Sequence, residues 1–192
     1  MKGIEVTAFV LAGGKSLRMG REKGLVLFEG KPLIEHVIGK LIPVVNSVII
    51  ISNQSIYNYL GYKVIADEIK DIGPAGGIYT CLKNSETTLN FITACDMPFI
   101  TSESVKFMTE KIEDFDVCIP LSQGRLEPLF GIYSRNCLEI WEQNILKGNY
   151  KLQNIINQLK AFTIPTDTNP MFNQKLFSNI NSVGELNQIN NE

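Results

Sequence analysis

Val48-Ile49-Ile50-Ile51 consists entirely of β-branched residues, with no polar residue interrupting the run. β-Branched side chains are stiff about χ1 and pack well on a pleated surface. A strand with one face in water alternates apolar and polar residues. This run does not alternate, so it is expected to be buried on both faces, as in a parallel sheet covered by helices on each side. Val6–Leu11 and Leu89–Cys95 read as further strands, joined by the shorter runs Lys63–Ala66, Asp116–Pro120, Leu129–Tyr133 and Ala161–Ile164. Helical spacing falls between them. It marks Leu33–Leu41 after Pro32, a short turn at Ile56–Leu60, Ile78–Lys83, Ser102–Ile112 behind the cap candidate Thr101, Asn136–Leu146, Leu152–Leu159 and a last helix near Val183–Ile189. Such alternation predicts a three-layer α/β architecture with a mainly parallel central sheet. Ligands of these sheets bind at the carboxyl ends of the strands.

At 192 residues the chain suits a single domain, 1–192. A net charge of −2 argues against a dedicated nucleic-acid or anionic-membrane binder. The first residues carry no apolar stretch long enough for a signal or a membrane span. Cys81, Cys95, Cys118 and Cys137 form no C-x-x-C pair and sit among apolar neighbours. That pattern fits buried free thiols, and a cytoplasmic location is expected. The single histidine, His36, cannot supply a histidine-rich metal site and reads as structural.

Chemistry is concentrated after the strands. Leu11-Ala12-Gly13-Gly14-Lys15-Ser16 contains the tail of a P-loop, but that motif needs a glycine five positions before Gly14. Phe9 stands there, inside the first strand. The glycines therefore open where a strand closes, and Lys15, Arg18, Arg21 and Lys23 follow them. A backbone free of side chains and flanked by cations suits close approach to an anion. Asp96 follows the apolar strand Leu89–Cys95. One carboxylate beside bound phosphates suits Mg²⁺, which binds through one or two carboxylates plus phosphate oxygens and waters. Its bland reading is a cap for the helix near Thr101. Lys23 is placed to neutralise charge on a transferring phosphoryl group, or is a surface lysine. Asp67 can accept from a ribose hydroxyl or simply turn the chain. Asn53 can read a base edge through its amide, with Ser52 competing for that role. Gly73–Gly77 is either an anion site at a helix N-terminus or a tight packing turn.

Together these segments resemble the molybdenum cofactor guanylyltransferases of the nucleotidyltransferase superfamily. The matching stretches are Leu11-Ala12-Gly13-Gly14-x-Ser16-x-Arg18-Met19-Gly20 with Lys23, Gly73-Pro74-x-x-Gly77, Cys95-Asp96-Met97-Pro98-Phe99, Glu127-Pro128-Leu129-Phe130 and Asn179-Ile180-Asn181. The resemblance implies a Rossmann-like nucleotide-diphospho-sugar transferase fold. Its nucleotide-binding half would span about residues 1–100 and its pterin half about 101–186. It implies GTP and molybdopterin as substrates, pyrophosphate as by-product, Mg²⁺ as cofactor, and cofactor-biosynthesis or delivery proteins as partners. Carried over, Leu11, Ala12, Gly13 and Gly14 contact the nucleotide, Lys23 the phosphates, Asn53 and Asp67 the nucleoside, and Asp96 the metal, with Lys23, Asp96 and Arg18 as the catalytic residues. Arg125, Asn179 and Asn181 fall on the pterin side. The chain carries Glu22-Lys23 where the family usually has Asp-Lys, and Lys147–Lys151 lacks the arginine that relatives often carry. Alternatives are a related transferase using CTP or a sugar-phosphate acceptor, and a non-catalytic nucleotide-binding adaptor.

Overall fold

The β-branched run does face both ways. In the computed structural model, which describes residues 5–13, 22–173 and 175–178, Val48 and Ile50 enter one apolar core and Ile51 the other. The elements run in the order β1 (Val6–Leu11), β2 (Leu27–Phe28), β3 (Lys31–Pro32), α1 (Leu33–Leu41), β4 (Ser47–Ile51), β5 (Lys63–Ile65) and α2 (Pro74–Lys83). They continue as β6 (Leu89–Ala94), α3 (Ser102–Lys111), β7 (Val117–Ser122), β8 (Arg125–Leu126), β9 (Phe130–Ser134), α4 (Leu138–Leu146), α5 (Leu152–Ile156) and β10 (Ala161–Pro165). Single 3₁₀ turns at Lys23–Leu25, Ser55–Leu60 and Arg135–Cys137 complete the set among the described residues.

The main sheet has the order β10-β7-β9-β6-β1-β4-β5, with β8 hanging on β7. β1 pairs parallel with β4 and β6, β4 with β5, and β10 with β7. β9 is the exception, antiparallel to both β6 and β7. Period-two alternation divides the core between the layers. Val6, Ala8 and Val10 of β1 pack with Ile34, Val37 and Leu41 of α1 and Val105 of α3. Phe9 packs on the opposite side with Ile78 of α2, Trp141 of α4 and Ile155 of α5.

α2 begins four residues earlier than the sequence predicts. The periodicity points to Ile78, but the helix starts at Pro74, behind Gly73 in a left-handed conformation (φ 67°). Gly76 and Gly77 lie inside it for want of space. A Cβ on Gly76 would stand 2.7 Å from Ile72 Cγ1 and 2.9 Å from the Ile69 carbonyl oxygen. One on Gly77 would stand 3.1 Å from Leu11 Cδ1. Gly77 lets the helix start press against Leu11 at the end of β1, and Gly76 lets it close on Ile69 and Ile72 before the helix, which offsets their poor helix propensity.

Other differences are small and local. The hairpin β2–β3 was missed because each strand has only two residues. The helix read over Asn136–Leu146 divides into the 3₁₀ turn Arg135–Cys137 and α4, and the one read over Leu152–Leu159 stops at Ile156. Thr101 does cap α3, accepting from Ser104 N, so Asp96 is not that helix's cap. His36 Nε2 lies 2.8 Å from the Phe28 carbonyl oxygen and packs on the Phe28 ring, a structural role. The helix read near Val183–Ile189 lies outside the described residues. Among the described residues, no helix is long and apolar enough to cross a membrane.

Trp141 ties α4 to the start of α2: it is fully buried and donates from Nε1 to the Ala75 carbonyl oxygen at 2.9 Å. Trp141→Phe removes that bond and leaves a small void. Unfolding in urea is expected to show a loss of about 1–3 kcal/mol. An unchanged midpoint and slope would mean the bond contributes nothing to the placement of α2.

Candidate functional site

The carboxyl ends of β1, β4 and β6 are level because their ladders run on by one residue. Ala12 N donates to Ile51 O at 2.8 Å, Cys95 N to Leu11 O at 3.0 Å, and Ser52 N to Ile65 O at 2.9 Å. The first residues past this line are therefore neighbours in space. They form one rim of a cleft of about 820 Å³, within the usual range for small-molecule sites. Leu11, Ala12, Gly13, Asn53, Asp67 and Asp96 all line it, and so does Lys23. Gly14, Arg18, Asn179 and Asn181 lie outside the described residues.

Lys23 and Asp96 are brought together from 73 positions apart. Lys23 Nζ donates to Asp96 Oδ2. The other oxygen, Asp96 Oδ1, is buried and has no hydrogen-bonding partner among the described residues. A buried carboxylate oxygen without a donor is costly unless a ligand completes it. Burial and lattice of contacts around Lys23 explain how it is aimed. It opens the turn Lys23–Leu25, and the next residue, Gly24, is buried against Tyr57 and Cys95. A Cβ on Gly24 would stand 2.8 Å from the Tyr57 hydroxyl and 3.3 Å from Cys95 Sγ. Tyr57 is fully buried and donates to Glu22 Oε2 at 3.4 Å. Burial, then the charges of Cys95 and Glu22, push its phenol well above the ordinary tyrosine value, so it stays a neutral donor. Burial and then the neighbouring Asp96 push the Cys95 thiol up to about 12. It is inert as a nucleophile at neutral pH, because the thiolate is the reactive form.

Asn53 and Asp67 form a second pair. Asn53 Nδ2 donates to Asp67 Oδ2 at 2.8 Å, and Asp67 N donates back to Asn53 Oδ1 at 3.1 Å. Both ends of the amide are engaged, leaving one N–H and one lone pair for a ligand. Ser52, the competitor read from the sequence, is buried and accepts from Gln54 N at 3.1 Å. Gly13 faces this pair, since a Cβ there would lie 3.7 Å from Asp67 Oδ2. Gly73, Pro74 and Gly77 bring the start of α2 to the same cleft. The two readings of Gly73–Gly77 are thus compatible: close packing delivers a helix N-terminus to the rim.

The opposite wall is built by the connection from β7 to β9. β7 is parallel to β6, because β9 runs antiparallel to both. β7 therefore ends at the rim and β9 starts there. Glu127, Pro128 and Leu129, just before β9, line the cleft. Arg125 does not: it is exposed on β8, carried outward by the left-handed turn Gln123-Gly124. Its charge acts on Glu127, whose carboxyl is raised by burial and only partly lowered by that arginine. The sequence marks Glu127-Pro128 as a motif but assigns the carboxylate no role. Nothing in the sequence flags Tyr57.

Among the described residues no group of three or more His, Cys, Asp or Glu side chains could enclose a metal ion. Asp96 with its unpartnered oxygen fits instead an ion carried mainly by phosphate oxygens and water.

Residues 8–162 match the family model described as MobA-like NTP transferase domain. A probable molybdenum cofactor guanylyltransferase from Flavobacterium johnsoniae is 38% identical over 186 residues, covering 96% of each chain. One from Thermococcus sibiricus is 37% identical over 188 residues, covering 94% of this chain and 95% of the relative. The crystal structure of molybdopterin-guanine dinucleotide biosynthesis protein A from Archaeoglobus fulgidus superposes with a TM-score of 0.79 at 27% identity, covering 95% of both chains. The 4-diphosphocytidyl-2C-methyl-D-erythritol synthase from Anaerococcus prevotii shares the fold, with a TM-score of 0.78 at 10% identity and coverage of 98% and 96%.

Asp67 carries a pH signature. Burial raises its carboxyl above the ordinary value, against the lowering pull of Asn53 and Lys70. The folded state then binds this proton more tightly than the unfolded state. The associated stability is present at acid pH and is lost as pH rises from the ordinary value of about 3.9 through the folded one. Asp67→Asn has no such loss. Denaturant unfolding of both proteins at about pH 3.5 and about pH 7 is expected to show wild type losing ground to the variant on going to neutral pH. A difference that does not change, or that favours wild type at neutral pH, would contradict the raised carboxyl.

Proposed function

The chain belongs to the MobA-like NTP transferase family, a family of nucleotidyltransferase enzymes, and on that premise we propose that it transfers GMP from GTP to the terminal phosphate of molybdopterin. Pyrophosphate leaves, and the product is the guanine dinucleotide form of the cofactor. The observation that carries this reading is the Lys23–Asp96 pair at one rim with Gly13, with one Asp96 oxygen buried and without a partner among the described residues.

An oxygen of the acceptor's terminal phosphate attacks the α-phosphorus of GTP. The bond from that phosphorus to the bridging oxygen of the β-phosphate breaks, and pyrophosphate carries away the electron pair. No protein nucleophile is needed, so the chain's work is positioning and charge compensation. Leu11, Ala12 and Gly13 present backbone to the nucleotide. Asp67, held by Asn53, accepts from a ribose hydroxyl. The spare N–H and lone pair of Asn53 face the nucleoside. Lys23 reaches a phosphate bound beside Asp96, because it already reaches Asp96 itself. Asp96 would hold Mg²⁺, which when bound supplies neutralisation of charge on the phosphate oxygens. Arg18 and Gly14 belong to the same bend in sequence and would add to the phosphate cradle. A cytoplasmic enzyme receiving its pterin from other cofactor-biosynthesis proteins is part of the same reading.

Pyrophosphate release from GTP plus molybdopterin tests the whole proposal, and preferential use of CTP would overturn the base assignment. Asp96→Asn is expected to lower turnover about a hundredfold or more, with GTP binding retained. Wild-type turnover in that variant would remove Asp96 from the mechanism. Lys23→Met is expected to weaken triphosphate binding or slow transfer by at least about tenfold. Unchanged rate and affinity would make it an ordinary surface lysine.

A further inference from the structure

Glu127 is a carboxylate of the cleft wall to which the proposed transfer gives no role; Glu22 and Asp71 line the cleft as well, Glu22 accepting from Tyr57. Glu127 lies across Asp96 from the nucleoside residues. In the sheet, Asn53 and Asp67 follow β4 and β5 on one side of β6, whereas Glu127 precedes β9 on the other. Asp96 follows β6 between them. Its turn is rigidly built. Glu127 N donates to Pro120 O at 3.0 Å, and Phe130 N donates to Glu127 O at 3.0 Å. The buried Tyr133 hydroxyl donates to Pro128 O at 2.7 Å. Phe130 itself pairs with Thr93 of β6. All this fixes the backbone and leaves the side chain's two oxygens with no hydrogen bond or ion pair among the described residues. The carboxylate is half-buried in the cleft. On this fixed turn Arg125 acts on the half-buried carboxylate only through its charge, and both oxygens stay open to donors from a ligand.

We infer that Glu127 is a specificity-determining residue that binds the 2-amino-4-oxo-pyrimidine edge of the acceptor's pterin ring. That edge offers two adjacent donors, a ring N–H and an amino N–H, spaced to meet the two oxygens of one carboxylate. Guanine carries the same edge, so the chemistry alone has two possible sources. Position decides between them: the nucleoside residues and Glu127 stand on opposite sides of Asp96. The raised carboxyl of Glu127 is the expected consequence of a desolvated group awaiting donors. The inference rests on the reading of the acceptor as a pterin.

The experiment measures binding directly, apart from turnover. Fluorescence titration of the full chain with a soluble 6-substituted pterin phosphate, and with its lumazine analogue bearing a 2-oxo group, compares wild type with Glu127→Gln and Glu127→Asp. Wild type is expected to bind the pterin at least about tenfold more tightly than the lumazine. Glu127→Gln is expected to lose most of that preference, Glu127→Asp to retain part of it, and GTP affinity to stay unchanged in both. Equal binding of the two compounds by wild type overturns the inference without recourse to any variant. So does a variant whose GTP affinity falls while pterin binding holds, because the edge read would then be guanine. A variant indistinguishable from wild type toward all three ligands overturns it as well. Failure of wild type to release pyrophosphate from GTP and molybdopterin would be a separate failure, of the proposed reaction, and leaves these binding outcomes readable.

Discussion

A lysine and an aspartate from distant parts of the chain meet at the rim of a cleft, both largely withdrawn from solvent, and several neighbours hold them there. Two charges taken out of water recover their hydration only through good geometry and further hydrogen bonds. Here the geometry is supplied but the hydrogen bonding is left incomplete at Asp96 Oδ1. A pair optimised for stability would be closed on both oxygens. One left open is suited to take up a third, positively charged partner together with its phosphates. The cost is met by neighbours that do no chemistry: Tyr57 under Gly24, the inert thiol of Cys95, and the buried turn that starts at Lys23.

Small residues decide how close the parts of this site can come. Gly24, Gly76 and Gly77 are each closed to a Cβ by a named neighbour at 3.1 Å or less. Gly13 differs: among the described residues a Cβ there would meet only Asp67, at 3.7 Å. The first three bring elements of the protein into contact with one another. Gly13 lines the cleft beside Asp67, and residue type alone does not draw that distinction.

The sequence made the framework readable because the strongest signals were also the most local. A β-branched run, alternating cores and a Thr101 cap each follow from a few consecutive residues. The rim residues were readable for a related reason: a parallel sheet puts every strand's carboxyl end on one side, so Gly13, Asn53, Asp67 and Asp96 could be grouped before any coordinate was known. Contacts set by packing were not readable. The helix start at Pro74 depends on the space beside Leu11 and Ile69, and no window of sequence reports that space. The engagement of Asn53 with Asp67 depends on β4 and β5 being neighbours in register. Tyr57 carries no motif at all, and its importance comes from standing beneath a glycine 33 positions before it in the chain.

The reversed strand is what makes a two-sided site possible. In an all-parallel sheet each rim residue is followed by a helix that leads the chain away from the cleft. β9 enters the sheet backwards, so the short path from β7 through β8 delivers its start to the rim instead. A wall made that way is a few residues long and is pinned at both ends by sheet hydrogen bonds. It stands apart in the chain from β1, β4 and β6, after which Gly13, Asn53 and Asp96 line the cleft. A chain only 10% identical shares this fold, so the architecture does not depend on any one set of rim side chains. One wall of the cleft is tied to the central strands, and the other lies on a connection beside them.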